Sequence, residues 1–161
     1  MGESESYEAG RRGGRAVSVR RARFIAASVE AVFAALADPA RLAGVLPRVR
    51  KVELLERGAS RARIATHMEL TPLHTLCAEG EVRWEGMRAI VFRTARPVAV
   101  ETRLELRPAT GGTDLSATLT IDLASLLGPL AALVPREQVA AAIAPDVEAT
   151  LAAIARAVET G

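Results

Sequence analysis

Few side chains in this sequence have the chemistry of a catalyst. The only histidines are His67 and His74, and the only cysteine is Cys77. General acid–base work needs a titratable group with a tuned pKa inside a site. His74 is the better placed of the two, because two-residue alternation sets it on the same side as Leu76 and Ala78, just after Thr71-Pro72. His67 alternates with Arg61, Arg63 and Glu69 and is expected on the solvent side. A nucleophilic pair of Cys77 and His74 is disfavoured, since their opposite parity puts them on opposite faces of one strand. The polar set most able to act together is His74, Arg93 and Thr102. In it Arg93, which shares parity with Ala89 and Val91, would be a carboxylate anchor if it points inward; cross-strand pairing of the strand arginines with Glu79, Glu81, Glu85, Glu101 and Glu105 is the alternative. The histidines with Glu69 or Glu79 have no recognised ligand spacing, and a single cysteine excludes a multi-cysteine zinc site, so neither a metal nor a cofactor is expected. Trp84, the only tryptophan, precedes Glu85-Gly86 and is read either as the anchor of a hairpin or as part of a mouth.

The composition is that of a folded soluble domain. The chain has 161 residues, 50% of them hydrophobic and 25% charged, with 21 Lys+Arg against 19 Asp+Glu. A length of this order suits one domain, and the composition excludes general disorder. Every basic residue except Lys51 is arginine. The arginines at 11, 12, 15, 20, 21 and 23 raise the question of nucleic acid. Nearby Glu3, Glu5 and Glu8, a net charge of +2 and the lack of interleaved aromatics argue against it. No uninterrupted apolar run has the length of a membrane span, and no signal-like segment follows the start, so a cytoplasmic protein is expected.

The elements that would position these residues follow from periodicity. Residues 1–14, rich in Gly, Ser and Glu, read as a disordered tail, and residues 15–161 as one domain. A strand begins near Arg15. Ser28 then caps a helix with Val29, Val32, Phe33 and Leu36 on one side, and Asp38-Pro39 opens a second short helix that Pro47 stops. Six strand-like runs follow, at 49–57, 61–70, 74–83, 88–94, 98–107 and 114–123, with breaks at 58–60, 85–87 and 108–112 that suit antiparallel neighbours. Val139, Ile143, Val147, Leu151, Ile154 and Val158 then recur at helical spacing, one face of a long helix in which Pro145 predicts a kink or a break near 141–145. Residues 126–135, apolar with Gly128-Pro129, read as a short helix or a lid. A sheet with one apolar face and a helix with one apolar stripe each solve the other's burial, which predicts an α+β fold of about seven curved antiparallel strands around the C-terminal helix.

This order of elements resembles the helix-grip fold of the START-like (SRPBCC) superfamily, including its polyketide cyclase/dehydrase-like group. The likeness is carried by FIAASVEAVFAALADP from Phe24 to Pro39, by Gly111-Gly112-Thr113-Asp114-Leu115 before the last strand, and by the C-terminal helix, over about residues 17–158. Residues 122–139, with Asp122, Leu126, Gly128 and Pro129, are also similar to the G-type subunits of carbon monoxide dehydrogenase within this superfamily. The resemblance implies a cavity between sheet and helix that takes lipids, sterols, polyketides or other apolar compounds. Given a cavity, the apolar parity of the strands supplies its lining: Ile64, Thr66, Met68, Leu76, Ala78, Val100, Thr102, Leu104, Ala117, Leu119 and Ile121, with Val139, Ile143 and Val147 from the helix. The expected function is binding or carriage of a small hydrophobic ligand or lipid by a monomer or homodimer. The alternatives are a cyclase or dehydratase using His74, Arg93 and Thr102, and an accessory protein of a redox enzyme that touches a membrane or protein through 123–134.

Overall fold

The computed structural model describes residues 16–38, 41, 43–46, 49–96 and 99–159. The expected tail at 1–14, together with Pro39 and Pro47, lies outside the described residues. The elements run β1 (Ala16–Ile25), α1 (Val29–Ala37), β2 (Val49–Arg57), β3 (Arg61–Thr71), β4 (His74–Glu85), β5 (Ala89–Thr94), β6 (Val100–Ala109), β7 (Gly112–Asp122), α2 (Leu123–Leu127), a 3₁₀ turn (Gly128–Leu133) and α3 (Arg136–Glu159). Of the second short helix expected after α1, the described part is Arg41 and 43–46, where Arg41 N–H donates to Asp38 O and Gly44 N–H to Arg41 O in helical turns.

The strands form one seven-stranded antiparallel sheet in the order β1-β7-β6-β5-β4-β3-β2. Strands β2 to β7 are a meander, so each finds its partner through a short connection. β1 pairs instead with β7, from Ala16 opposite Asp122 to Ile25 opposite Thr113. The first two strands are therefore the two edges, and α1 with the segment after it carries the chain across. Ser28 starts α1 as its cap, its hydroxyl accepting from Ala31 N–H at 3.1 Å, and Glu30 places a negative charge in the first turn.

Alternation decides the faces. Val19, Ile64, Val82, Ile90, Leu104, Leu106, Leu115 and Ala117 point to the concave side and pack with Val32 and Leu36 of α1 and with Ala144, Val147, Leu151, Ile154 and Ala155 of α3. The opposite parity carries most of the charge. The helical stripe is buried from Ala144 to Ala155, while Val139, Ile143 and Val158 nearer the helix ends are only half-buried. α3 is one unbroken helix of 24 residues through Pro145, so the expected break does not occur. Proline removes the hydrogen bond to the carbonyl four residues earlier, that of Ala141. Ala141 is exposed, so this bond is lost on the solvent side of the helix, where water can substitute for it, and the helix continues. By length and composition α3 is long and apolar enough to cross a membrane; here its apolar stripe packs on the sheet. Its C-terminal end is tied to the residue after β1, Glu159 Oε2 accepting from Ala26 N–H at 2.9 Å.

The hairpin between β6 and β7 needs its two glycines for different reasons. Gly111 has φ +81°, the left-handed region that side chains with a Cβ resist. At Gly112 a Cβ would collide with Ile25 O, so only a bare Cα lets β7 approach the end of β1. Beside it Thr113 is fully buried and donates its hydroxyl to Ala27 O at 2.8 Å. Gly112→Ala is expected to destabilise the protein by about 2 kcal/mol or more by forcing β1 and β7 apart, seen as a lowered midpoint in urea unfolding with an unchanged slope.

Candidate functional site

The site follows from a mismatch of widths. Seven strands spaced by about 4.8 Å span roughly 30 Å, whereas a helix with its side chains is about 10 Å across. Among the described residues α3 packs on β1, β7 and α1 and makes no substantial contact with β3, β4 or β5. Toward the β2–β3 and β4–β5 turns, the concave face joins one packed cluster with α1, Val45 and Leu46. Toward the β3–β4 hairpin it is left partly open. There Thr66, Met68 and Leu76 on β3 and β4, Val100 and Thr102 on β6, and Leu119 and Ile121 on β7 all face inward yet remain half-exposed. The result is an apolar trough, with Val139 and Ile143 of α3 on its far side.

The expected lining thus divides in two. Ile64, Ala78, Leu104, Ala117 and Val147 are buried to 5% exposure or less and belong to solid packing. The half-exposed members are open to solvent. Thr66 supplies a hydroxyl that donates to Ala78 O at 3.2 Å, and Thr102 supplies a second.

The polar set expected to act with Thr102 is not assembled. Arg93 has the parity expected of it, shared with Ala89 and Val91, but that is the outer face. It sits opposite Glu101 and Glu81 in the register, and its Nη2 lies 2.5 Å from Glu101 Oε2. The reason is that on β5 both parities are rich in apolar residues, so alternation alone does not say which side is concave. His74 is exposed at the first residue of β4, beyond the reach of the other two. Cys77 is exposed on the outer face, and its direct cross-strand neighbour is His67 rather than His74. A hairpin centred on Pro72 brings 67 opposite 77, a pairing that could have been read from the turn. His67 Nε2 stands 3.5 Å from Glu53 Oε1. Among the described residues no group of three or more His, Cys, Asp or Glu could hold a metal.

The outer face has its own polar groove of about 230 Å³, lined by Glu81, Arg83, Glu85, Val91, Arg93, Glu101 and Arg103. Its charges neutralise one another across strands, as expected for a solvated sheet face. Arg103 Nη2 donates to Glu85 Oε1 at 2.8 Å, and this bond, with the charge of the guanidinium, holds the Glu85 carboxyl below the ordinary glutamate value. The residue that sequence reasoning left undecided is Trp84. It faces inward from β4 and joins the core cluster, with the Arg57 guanidinium over its ring at 5.5 Å from the centroid. Its indole Nε1 is buried without a hydrogen-bond partner among the described residues.

A curved antiparallel sheet gripping a C-terminal helix, with an apolar trough between them, defines a helix-grip protein of the ligand-binding and cyclase class. The chain belongs to the polyketide cyclase/dehydrase and lipid transport family, whose sequence profile matches residues 16–159. Solved structures share the fold. A Thermus thermophilus protein, TTHA0849, is 23% identical with a TM-score of 0.71, over 89% of this chain and 97% of that one. The Zhui aromatase/cyclase of Streptomyces sp. R1128 is 20% identical with a TM-score of 0.72, over 89% and 94%. A START superfamily protein of Mycobacterium smegmatis is 18% identical with a TM-score of 0.72, over 89% and 98%. No curated protein sequence matches the chain. Nothing in these similarities is specific to the G-type subunits of carbon monoxide dehydrogenase, so the likeness expected over 122–139 gains no support.

Because Glu85 has its folded-state pKa depressed, the contact with Arg103 stabilises the fold above the unfolded glutamate pKa. That contribution is lost as pH falls through the lower folded value. Arg103→Gln is therefore expected to return the Glu85 pKa upward to the ordinary glutamate range, as read from its side-chain carboxyl resonance in an NMR titration.

Proposed function

We propose that this chain binds and carries a small hydrophobic ligand in the trough between β3–β7 and α3. The observation that supports this reading is the half-exposure of apolar side chains that face the helix. Met68, Leu76, Leu119 and Ile121 point to the concave side, on which Ile64, Ala78, Leu104 and Ala117 are buried. Leaving apolar surface half-wet is unfavourable by about 25 cal/mol per Å², and a ligand that covers it recovers that free energy. A few hydroxyls in an otherwise apolar wall suit a ligand oriented by few polar contacts. A cyclase or dehydratase would need acid–base groups beside the ligand, and the separation of His74 and Arg93 from Thr102 favours carriage. The reading includes a cytoplasmic monomer or homodimer. It also includes contact of 123–134 with a lipid or protein surface during loading, supported by Leu130 at 60% and Leu133 at 77% exposure.

The test is native mass spectrometry of the purified protein, followed by identification of any small molecule released on denaturation. The expected result is a stoichiometric apolar compound. Met68→Glu places a carboxylate in the half-exposed wall, where burying an unpaired charge with the ligand is costly. It is expected to lower occupancy at least ten-fold while thermal unfolding stays close to that of the parent. Equal occupancy in the parent and in Met68→Glu would place the compound elsewhere and end this reading.

A further inference from the structure

The most exposed large apolar side chains among the described residues gather at one end of the molecule. Leu73 is 90% exposed, Leu133 77% and Leu130 60%. Leu73 stands on the turn between β3 and β4, and Leu130 and Leu133 stand in the 3₁₀ turn that follows α2. Strand directions put both turns at the same end of the sheet. β3 and β7 finish there, β4 starts there, and α3 begins just beyond. It is also the end at which the trough opens.

The 3₁₀ turn aims its leucines. Residues three apart in a 3₁₀ helix lie on the same side, so Leu130 and Leu133 project together. Ala131 between them is buried in a cluster with Val17 and Leu123, which fixes the turn to the start of β1. Ser125 Oγ accepts from Ala99 N–H at 2.9 Å and ties α2 to the β5–β6 connection. Both contacts brace the segment and hold the leucines outward.

The charges nearby are arranged around these tips. Pro72-Leu73 and the run from Gly128 to Pro135 contain no charged residue. Arg96, exposed in the β5–β6 connection, and Arg136, half-exposed at the first residue of α3, border them. Neither arginine makes an ion pair or a side-chain hydrogen bond among the described residues, unlike Arg93 and Arg103 on the outer face. Of the acids at this end, Asp122 caps α2, Glu69 is paired with Arg50, and Glu137 is exposed. The apolar tips stand on separate turns with the trough mouth between them. β4 and β7 are three strand spacings apart, about 14 Å in a flat sheet. A folded protein partner would have to offer matching hollows at that separation. The acyl boundary of a bilayer takes apolar side chains wherever they enter, and arginines beside them meet lipid phosphates.

We propose that this end of the molecule docks on a lipid bilayer, with Leu73, Leu130 and Leu133 inserted at the acyl boundary and Arg96 and Arg136 at the phosphates. The contact of 123–134 is thereby with lipid, and the β3–β4 turn shares it. The mouth of the trough then faces the bilayer, and an apolar ligand passes between the two without crossing water. The docking surface stands on its own observations, whereas its use in loading rests on the trough being a ligand site.

The test is sedimentation of the full chain with vesicles of phosphatidylcholine containing phosphatidylglycerol, and with vesicles of phosphatidylcholine alone. The parent is expected to bind both, more tightly where the anionic lipid is present. Leu130→Ser combined with Leu133→Ser is expected to weaken binding about ten-fold or more, and Leu73→Ser about three-fold, because each change removes apolar surface transferred out of water. Thermal unfolding should stay as in the parent, since all three side chains are exposed. Leu54→Ser is the control: Leu54 is 46% exposed but lies on β2, opposite Ile64, and the variant should bind as the parent does. A parent that sediments with neither vesicle overturns the proposal and leaves a protein surface as the partner of 123–134. Equal binding by the parent and the leucine variants also overturns it, because the adsorption would then be electrostatic. None of these outcomes depends on ligand occupancy, which native mass spectrometry reads separately, so the docking surface and the trough fail independently.

Discussion

A sheet of seven strands has an apolar face about three times as wide as the one long helix that must cover it. Curvature narrows the gap, and α1 with residues 43–46 covers one end, but the end toward the β3–β4 hairpin remains short of cover. The hydrophobic effect drives sheet and helix together wherever they meet, as the buried Leu104, Leu115, Leu151 and Ile154 show. Where they do not meet, the same apolar alternation that specifies a strand leaves a greasy wall facing water. The trough is a consequence of how the fold is closed, and a family built on this plan can vary its ligand by changing a few side chains on that wall.

The two faces of the sheet hold their polar groups in different ways. On the outer face Arg93, Arg103, Glu85 and Glu101 satisfy one another in water-exposed pairs, which individually contribute little. On the inner face polar groups are few and their bonding is specific. Thr113 closes the β1–α1 junction by its bond to Ala27 O, and Thr66 bonds across to β4. Against that background the indole of Trp84 is the exception, a buried donor with no hydrogen-bond partner among the described residues. The arginines of the strands belong chiefly to the outer network.

The C-terminal helix shows how local preference yields to context. Pro145 argues for a break, yet α3 is continuous because the carbonyl it strands faces solvent, while Ala144, Val147 and Leu151 around it are buried. The position of the proline on the wet side of the helix makes it tolerable. Gly112 is the converse case: an unremarkable residue by sequence, fixed by a backbone oxygen that comes from 87 positions earlier in the chain.

Much of this architecture was legible from local signals. Seven period-two runs, the Ser28 cap, the turn residues at 108–112 and the helical stripe from Val139 to Val158 are set by interactions between residues close in sequence, and these identify elements and their order. The family likeness rests on the same signals. What tertiary structure alone decided is which partners those elements bring together. Alternation sorts a strand into two faces but does not say which is concave, so Arg93 has its expected parity and lies outside. It does not say how far a helix extends over a sheet, so Leu104 and Leu119 read alike although one is sealed in the core and the other lines the trough. Nor does it give cross-strand neighbours, which depend on register: His67 beside Cys77, and Phe92 between Trp84 and Thr102. Periodicity is a property of a segment, whereas coverage, register and the pairing of a buried donor are properties of segments packed against one another.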